Sequence, residues 1–251
     1  MDKEASGQTP IEMEEDAEYQ RQLNLFSRSS TEKGIELVKI GEIISGLAKR
    51  KYFLDIGAGG GDLTIPVSQS FDETTIVEPN VKQADFLKKR CPRFNIYNDS
   101  WENVDLTPMR FDFILCSHVL YYIKEDQWLS TIKKMYAHLE EGGCIAVVLQ
   151  SPIGEVADFF NQFTHYDVNI LELWQDLIQR YGEDAVETRY FLNEIWTESL
   201  DDMVTIGLFL LLDRSFKKYT EKIRQYFESH HKIQEGYCIK QDEILLIVKK
   251  K

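Results

Sequence analysis

A short apolar segment, Tyr52 to Ile56, runs directly into Gly57-Ala58-Gly59-Gly60-Gly61, and no other feature constrains the chain as tightly. Glycine lets the backbone turn sharply at a strand end and lets a ligand approach it closely. A loop of this kind joins a strand to a helix, and Leu63 to Ser70 reads as that helix, with Pro66 tolerable near its start. The alternation then continues. Thr74 to Val77, Arg93 to Tyr97, Phe111 to Cys116 and Cys144 to Leu149 read as strands. Val81 to Arg90 and Gln127 to Leu139 read as helices, the second with Trp128, Ile132, Met135, Tyr136 and Leu139 on one face and Gly142-Gly143 at its end. The unbroken apolar run from Cys144 to Leu149 is what a strand covered by helices on both faces requires. Five strands alternating with helices predict an α/β fold: a doubly wound, mostly parallel sheet of the Rossmann-like type, with right-handed crossovers.

Segments on either side complete the expected organisation. Residues 19–50 read as a helical substrate cap, because Ile35, Val38, Ile40, Ile43, Ile44 and Leu47 recur at helical spacing. Ser29-Ser30-Thr31-Glu32 has the pattern of a capping box. Residues 1–18 carry seven acids and one lysine and read as a mobile arm. Residues 51–152 form the expected cofactor-binding core. Residues 153–235 read as a lid and helical substrate region: 153–168 is loop-like and aromatic (Phe159, Phe160, Phe163, Tyr166), and Ile170 to Tyr181 is helical. Within the same region Val186 to Leu192 is a strand, and Ser199 to Leu212 and Phe216 to His230 are helices. The final segment, 236–251, contributes the strand Glu243 to Val248, which brings the sheet to seven strands.

The loop and the acids around it indicate what is bound. Glu78 ends the strand after the glycine loop, 17 residues beyond Gly61, where a carboxylate accepts both ribose hydroxyls of an adenosine-type cofactor. A dinucleotide loop reads G-x-G-x-x-G with the pyrophosphate over the helix N-terminus. Counted from Gly57 and Gly59, the third glycine falls at Asp62, whose carboxylate repels a pyrophosphate. It does not repel the sulfonium and ammonium of S-adenosylmethionine, and Asp55 adds a second negative charge facing a cation. S-Adenosylmethionine is therefore the expected cofactor, with S-adenosylhomocysteine as product. Asp99 and Ser100 follow the third strand and are placed at the adenine, with Trp101 beside them; Asp99 or Ser100 also has a plain reading as a cap of the next turn. Ser117-His118-Val119-Leu120 follows the fourth strand, so these strand ends meet in one crevice.

Composition narrows the partners. Forty-two acidic residues against 29 basic ones give a net charge of -13, which opposes nucleic acid and attracts small cations. The longest apolar stretch, Met203 to Leu212, is about half a membrane span, and the N-terminus lacks the basic start and apolar centre of a secretion signal. Cys91, Cys116, Cys144 and Cys238 are widely spaced with no CxxC pair, which points to a reducing, cytoplasmic setting. No cluster of metal ligands is visible in the spacing. A monomer acting on a small-molecule amine is the expected form.

FLDIGAGGGD, IVEPN and FDFILCSHVLYYI together make the chain similar to the class I S-adenosylmethionine-dependent methyltransferases. Within them it most resembles the histamine N-methyltransferase family, through YQRQLNLFSRSSTEKG, Ile76-Val77-Glu78-Pro79, Leu120-Tyr121-Tyr122 and DEILLIV. The resemblance implies that Gly57, Gly59, Glu78 and Gln83 bind cofactor, with Ser117 near it and Gly61 in the same loop. It implies that Glu32 holds a substrate ammonium and that Tyr121 and Tyr122 line the substrate cavity, with Tyr122 and His118 beside the reacting atoms. Two positions depart from the family pattern: His118 stands where the family has a glutamine, and Asp242 where it has a substrate-contacting asparagine.

The expected reaction is an in-line transfer of methyl to a ring nitrogen, with Glu32 on a distal ammonium and His118 or Asp242 accepting a proton or fixing the ring tautomer. The competing readings are methylation of another small molecule at oxygen, methylation of a protein side chain, and a non-catalytic methyltransferase-like binding protein. Each residue also has a plain reading: Glu32 as a helix-capping acid, Tyr121 and Tyr122 as core aromatics, and Asp242 as a turn residue.

Overall fold

The computed structural model describes residues 17–164, 170–211 and 214–251. The acidic arm, apart from its last two residues, and Tyr166 of the aromatic segment lie outside them. In chain order the elements are α1 (Ala17–Ser29), α2 (Glu32–Ser45), β1 (Tyr52–Ile56), α3 (Thr64–Ser68), β2 (Glu73–Val77), α4 (Val81–Arg90), β3 (Asn95–Tyr97), β4 (Phe111–Ser117), α5 (Glu125–Ala137), β5 (Leu139–Gln150), α6 (Glu155–Phe163), α7 (Ile170–Tyr181), β6 (Val186–Thr197), α8 (Leu200–Leu210), α9 (Thr220–His230), β7 (Lys232–Ile233) and β8 (Gly236–Lys249). The described residues divide into two compact units, those of 31–194 with those of 240–251, and those of 17–30 with those of 195–239.

The first unit is built on the sheet. Strand order is β3-β2-β1-β4-β5-β8-β6, parallel from β3 through β5, with β8 antiparallel to β5. This is the doubly wound, mostly parallel architecture that the alternation predicts. Pleating sends alternate residues to opposite faces, and both faces are apolar. Leu54, Ile56, Ile114, Cys116, Ile145, Val147, Leu149, Ile244, Leu246 and Val248 join Trp128, Ile132 and Met135 of α5 and Leu173 and Leu177 of α7. Phe53, Phe113, Leu115, Cys144, Ala146, Val148, Leu245 and Ile247 join Ile40, Ile43 and Ile44 of α2 and Val67 of α3. Full burial of each such aliphatic side chain contributes about 1.5–3 kcal/mol, so α2 is anchored by its three isoleucines.

Several boundaries differ from the sequence reading, each for a local reason. The helix read over residues 19–50 is two helices, α1 and α2, with Thr31 at the cap of the second and making no side-chain capping bond. The capping box therefore does not form, because Glu32 is the first residue of α2 and its carboxylate turns inward. Gly142-Gly143 does not end α5, which stops at Ala137; the pair lies inside β5 at a bulge where the register with β4 shifts. A Cβ on Gly143 would sit 2.9 Å from the Asp112 carbonyl oxygen, which explains the glycine. Residues 155–163 are helical rather than loop-like, since Val156, Phe159, Phe160 and Phe163 fall at i, i+3, i+4 and i+7.

In the second unit α1 packs on α8, with Tyr19 and Phe26 against Phe209, and α8 packs on α9 through Gly207 against Phe227 and Ile223. Ser199 caps α8, its side chain accepting from the Asp202 amide. Among the described residues no helix is long and apolar enough to cross a membrane.

Candidate active site

The glycine loop leaves β1 as a left-handed turn. Gly57 has φ +74°, and a Cβ there would lie 2.4 Å from a Val119 methyl carbon. Gly61 is closed in by Leu87 and Ile65. Gly59 differs: its φ is +53°, but nothing lies within 4 Å of where a Cβ would stand. Packing explains Gly57 and Gly61, while Gly59 leaves its backbone open to an approaching ligand. Gln83 looks onto this loop, its Oε1 3.7 Å from a Cβ position on Gly60.

Glu78 locks the loop. Buried at the end of β2, it accepts from the Gly59 amide through Oε2 and from the Asn80 amide through Oε1, each at 2.8 Å. Burial pushes its carboxyl above the usual range, against the pull of those two amides. A carboxylate has about four lone-pair directions, so two remain for a pair of ribose hydroxyls. Asn80 caps α4 by accepting from the amides of Lys82 and Gln83. Open glycine backbone, a buried acid at the next strand end and Gln83 over the loop fit the adenosine and sulfonium of S-adenosylmethionine.

Other expected cofactor residues have structural duties. Asp99 is exposed and accepts from the Ser100 amide and the Asn103 side chain, the capping role it also had in sequence. Trp101 is buried in the core. Asp55 accepts from the Thr64 hydroxyl at 2.5 Å, and burial raises its carboxyl to about 7. Burial thus works against the full negative charge expected at Asp55. Ser117 donates to Glu36 Oε2 at 2.8 Å, which ties β4 to α2.

Beyond β4 the chain meets a cluster of buried acids. His118 holds a left-handed backbone, φ +57°, fixed by its amide donating to Val148 O at 3.0 Å. A non-glycine residue in that region is strained, and such strain gathers at functional sites. Around His118 Nε2 stand Glu36 Oε1 at 3.0 Å, Glu243 Oε1 at 3.1 Å and Glu32 Oε2 at 3.7 Å. Glu32 and Glu36, four apart, share one face of α2. Lys33 Nζ bridges them at 2.8 and 3.1 Å. Gln241 Nε2 donates to Glu32 and Glu243, and Asn193 Nδ2 donates to Glu243.

These neighbours set the charges. Burial would lower the His118 pKa, but Glu32, Glu243 and Glu36 outweigh it and hold the ring well above its ordinary value. Its three carboxylate neighbours therefore favour the protonated ring. Burial raises Glu36, yet Lys33 and His118 overcome it and bring the carboxyl down. Burial together with Glu32 and Glu36 raises Glu243 despite His118.

The cluster holds Glu32 and His118 together with Glu36, Glu243, Gln241 and Asn193, which the sequence reading passed over. Tyr121 supports it, its hydroxyl 3.4 Å from His118 Nδ1 and taking a hydrogen bond from the Gln150 amide. Tyr122 follows on the same single 3-10 turn, Leu120–Tyr122. Asp242 does not join them. Strand alternation puts Gln241 and Glu243 on the α2 face and Asp242 on the other, where its carboxylate packs against Gly154.

The chain matches the family described as "Methyltransferase domain" over residues 21–188, about two-thirds of its length. No curated protein matches it. Among solved structures it resembles a protein from Bacillus halodurans C-125 at 16% identity and TM-score 0.62, over 86% of this chain and 99% of that one. It resembles YcgJ from Bacillus subtilis at 14% identity and TM-score 0.60, over 84% and 97%. It also resembles the plantazolicin methyltransferase BpumL, crystallised with S-adenosylhomocysteine, at 11% identity and TM-score 0.60, over 96% and 95%. The chain thus belongs to the methyltransferase-domain family, which takes its methyl group from S-adenosylmethionine.

Proposed function

We propose that this methyltransferase acts on a nitrogen of a small imidazole-bearing or related amine, resembling histamine, which it receives as a cation. One observation carries the reading: at the acidic cluster beside the carboxyl end of β4, an alkylammonium is already bound, that of Lys33 between Glu32 and Glu36. The side chain of Lys33 is 34% exposed while those of Glu32 and Glu36 are nearly sealed, so the lysine can leave and the carboxylates stay. An incoming ammonium would take its place on Glu32.

The bound cofactor supplies a methyl carbon on a positively charged sulfur. The chain's own residues do the rest. Glu32 orients the distal ammonium, which fixes where the ring lies; such positioning is worth up to about 7–11 kcal/mol in well-oriented reactions. An imidazole nitrogen is unprotonated in a useful fraction near neutral pH, so the cluster need not supply a strong base. As methyl joins nitrogen, positive charge moves onto the ring, and the fixed carboxylates of Glu36 and Glu32 meet it without reorganising. His118, within hydrogen-bond distance of Glu36 and Tyr121, holds that array in shape.

The test is kinetic. Glu32→Gln should raise KM for a cationic acceptor by about 10-fold or more, one lost charge-assisted contact being worth roughly 1.5–3 kcal/mol. The Kd for S-adenosylhomocysteine should stay within error. Equal losses on cationic and neutral acceptors would remove the anchoring role.

A further inference from the structure

Three carboxylates converge on one nitrogen. Glu36, Glu243 and Glu32 oxygens lie 3.0, 3.1 and 3.7 Å from His118 Nε2. An imidazolium has a single hydrogen on that nitrogen and aims it along one line, so these are more acceptors than the N–H can satisfy. The residues come from α2, from the turn after β4 and from β8, and one donor atom of each lies within 4.8 Å of every other. A divalent metal ion bound through imidazole nitrogen and carboxylate oxygen at about 2.0–2.2 Å holds neighbouring donor atoms about 3.0–3.4 Å apart. The His118–Glu36 and His118–Glu243 spacings fall at the start of that range.

A second observation comes from two amides. Gln241 is 3% exposed and points its Nε2 at Glu32 and Glu243, yet its buried Oε1 has no hydrogen-bond partner among the described residues. Asn193, fully buried, gives its Nδ2 to Glu243 and likewise leaves Oδ1 without a partner. Buried polar atoms are nearly always paired, and an orphan needs a reason. Both amides touch the carboxylates through their nitrogens, so each orphan oxygen belongs to a side chain that lines the cluster.

We infer that His118, Glu36 and Glu243 bind a divalent transition-metal ion, with Glu32 on its open side. The inference rests on the proposed reading only for the acceptor's place at Glu32. One imidazole and two carboxylates suit Mn2+, Fe2+ and Zn2+ better than Mg2+, which prefers an all-oxygen octahedron. The ion replaces the Nε2 proton of His118 and the bridging ammonium of Lys33 as the balancing charge.

The test is a titration of chelator-stripped protein with Mn2+ and Zn2+, read by calorimetry and by the electron paramagnetic resonance of Mn2+. One saturable ion per chain is expected. Glu36→Gln and Glu243→Gln should each weaken it by about 100-fold. Lys33→Met, which removes a competing cation, should tighten it by about 10-fold. S-Adenosylhomocysteine binding, measured on every variant, shows that each is folded. Absence of saturable binding at millimolar Mn2+ in both wild type and Lys33→Met, with that binding intact, would overturn the site. So would Mn2+ affinity that survives Glu36→Gln and Glu243→Gln. Methyl transfer to an amine by protein that binds no metal refutes the site and leaves the acceptor standing; metal binding without transfer to any amine does the reverse.

Discussion

At the residue scale, position along the backbone decides which side chains carry chemistry. Gly57 cannot gain a side chain: a Cβ meets Val119 at 2.4 Å, and the left-handed backbone alone costs about 1–2 kcal/mol for other residues. Gly57→Ala should therefore weaken S-adenosylhomocysteine binding by about 10-fold or more, as measured by calorimetry. Asp55 carries a pH signature. Its carboxyl titrates near 7 when folded against 3.8 when free, so the folded state holds the extra proton. Stability from this group is complete below about pH 4 and declines as pH rises to 7, by on the order of 4 kcal/mol. Urea unfolding of Asp55→Asn should show a shallower loss between pH 4 and 7 than wild type; an unchanged slope would assign that proton elsewhere. The glycine loop and Glu78 were legible in sequence because each follows a strand end, where local pattern fixes position. Glu243 and Gln241 were not, because which face of β8 they take depends on its pairing with β5, and reading Asp242 in their place is a slip of one residue.

At the element scale, α2 does two jobs. Ile40, Ile43 and Ile44 seat it on the sheet, and Glu32 and Glu36 on its first turns join the acidic cluster. Ile40→Ala should cost about 2–5 kcal/mol of unfolding free energy in urea titration, since the side chain is fully buried. It should also raise KM for a cationic acceptor, because the seating of α2 fixes Glu32. Ile40→Val, which keeps most of the volume, should cost about 0.5–1.5 kcal/mol and leave KM near wild type. The helical period of α2 was visible in sequence, and so were α7 and the strands of the parallel half. The bulge at Gly142-Gly143 was not, because a glycine pair after a helix reads the same whether it ends the helix or interrupts the next strand. The aromatic stripe of α6 was present but short, nine residues, too few for its period to stand out.

At the scale of the whole molecule, charge and fold act together. A net charge of -13 draws cations from a distance, while the cluster concentrates that preference at three buried carboxylates. Raising salt shortens the Debye length from about 10 Å at 0.1 M to about 3 Å at 1 M. The KM of a cationic acceptor should rise across that range, and that of a neutral acceptor should hardly move. The central claim is that methyl passes from S-adenosylmethionine to a small nitrogenous cation, and transfer of labelled methyl tests it most directly. The purified protein is incubated with methyl-labelled S-adenosylmethionine and, separately, histamine, histidine, carnosine, an alkylamine, a phenol and a protein extract. Label on histamine or a close imidazole amine, and little on the phenol, is the predicted result. Tight cofactor binding with label only on protein, or on no acceptor at all, would contradict it.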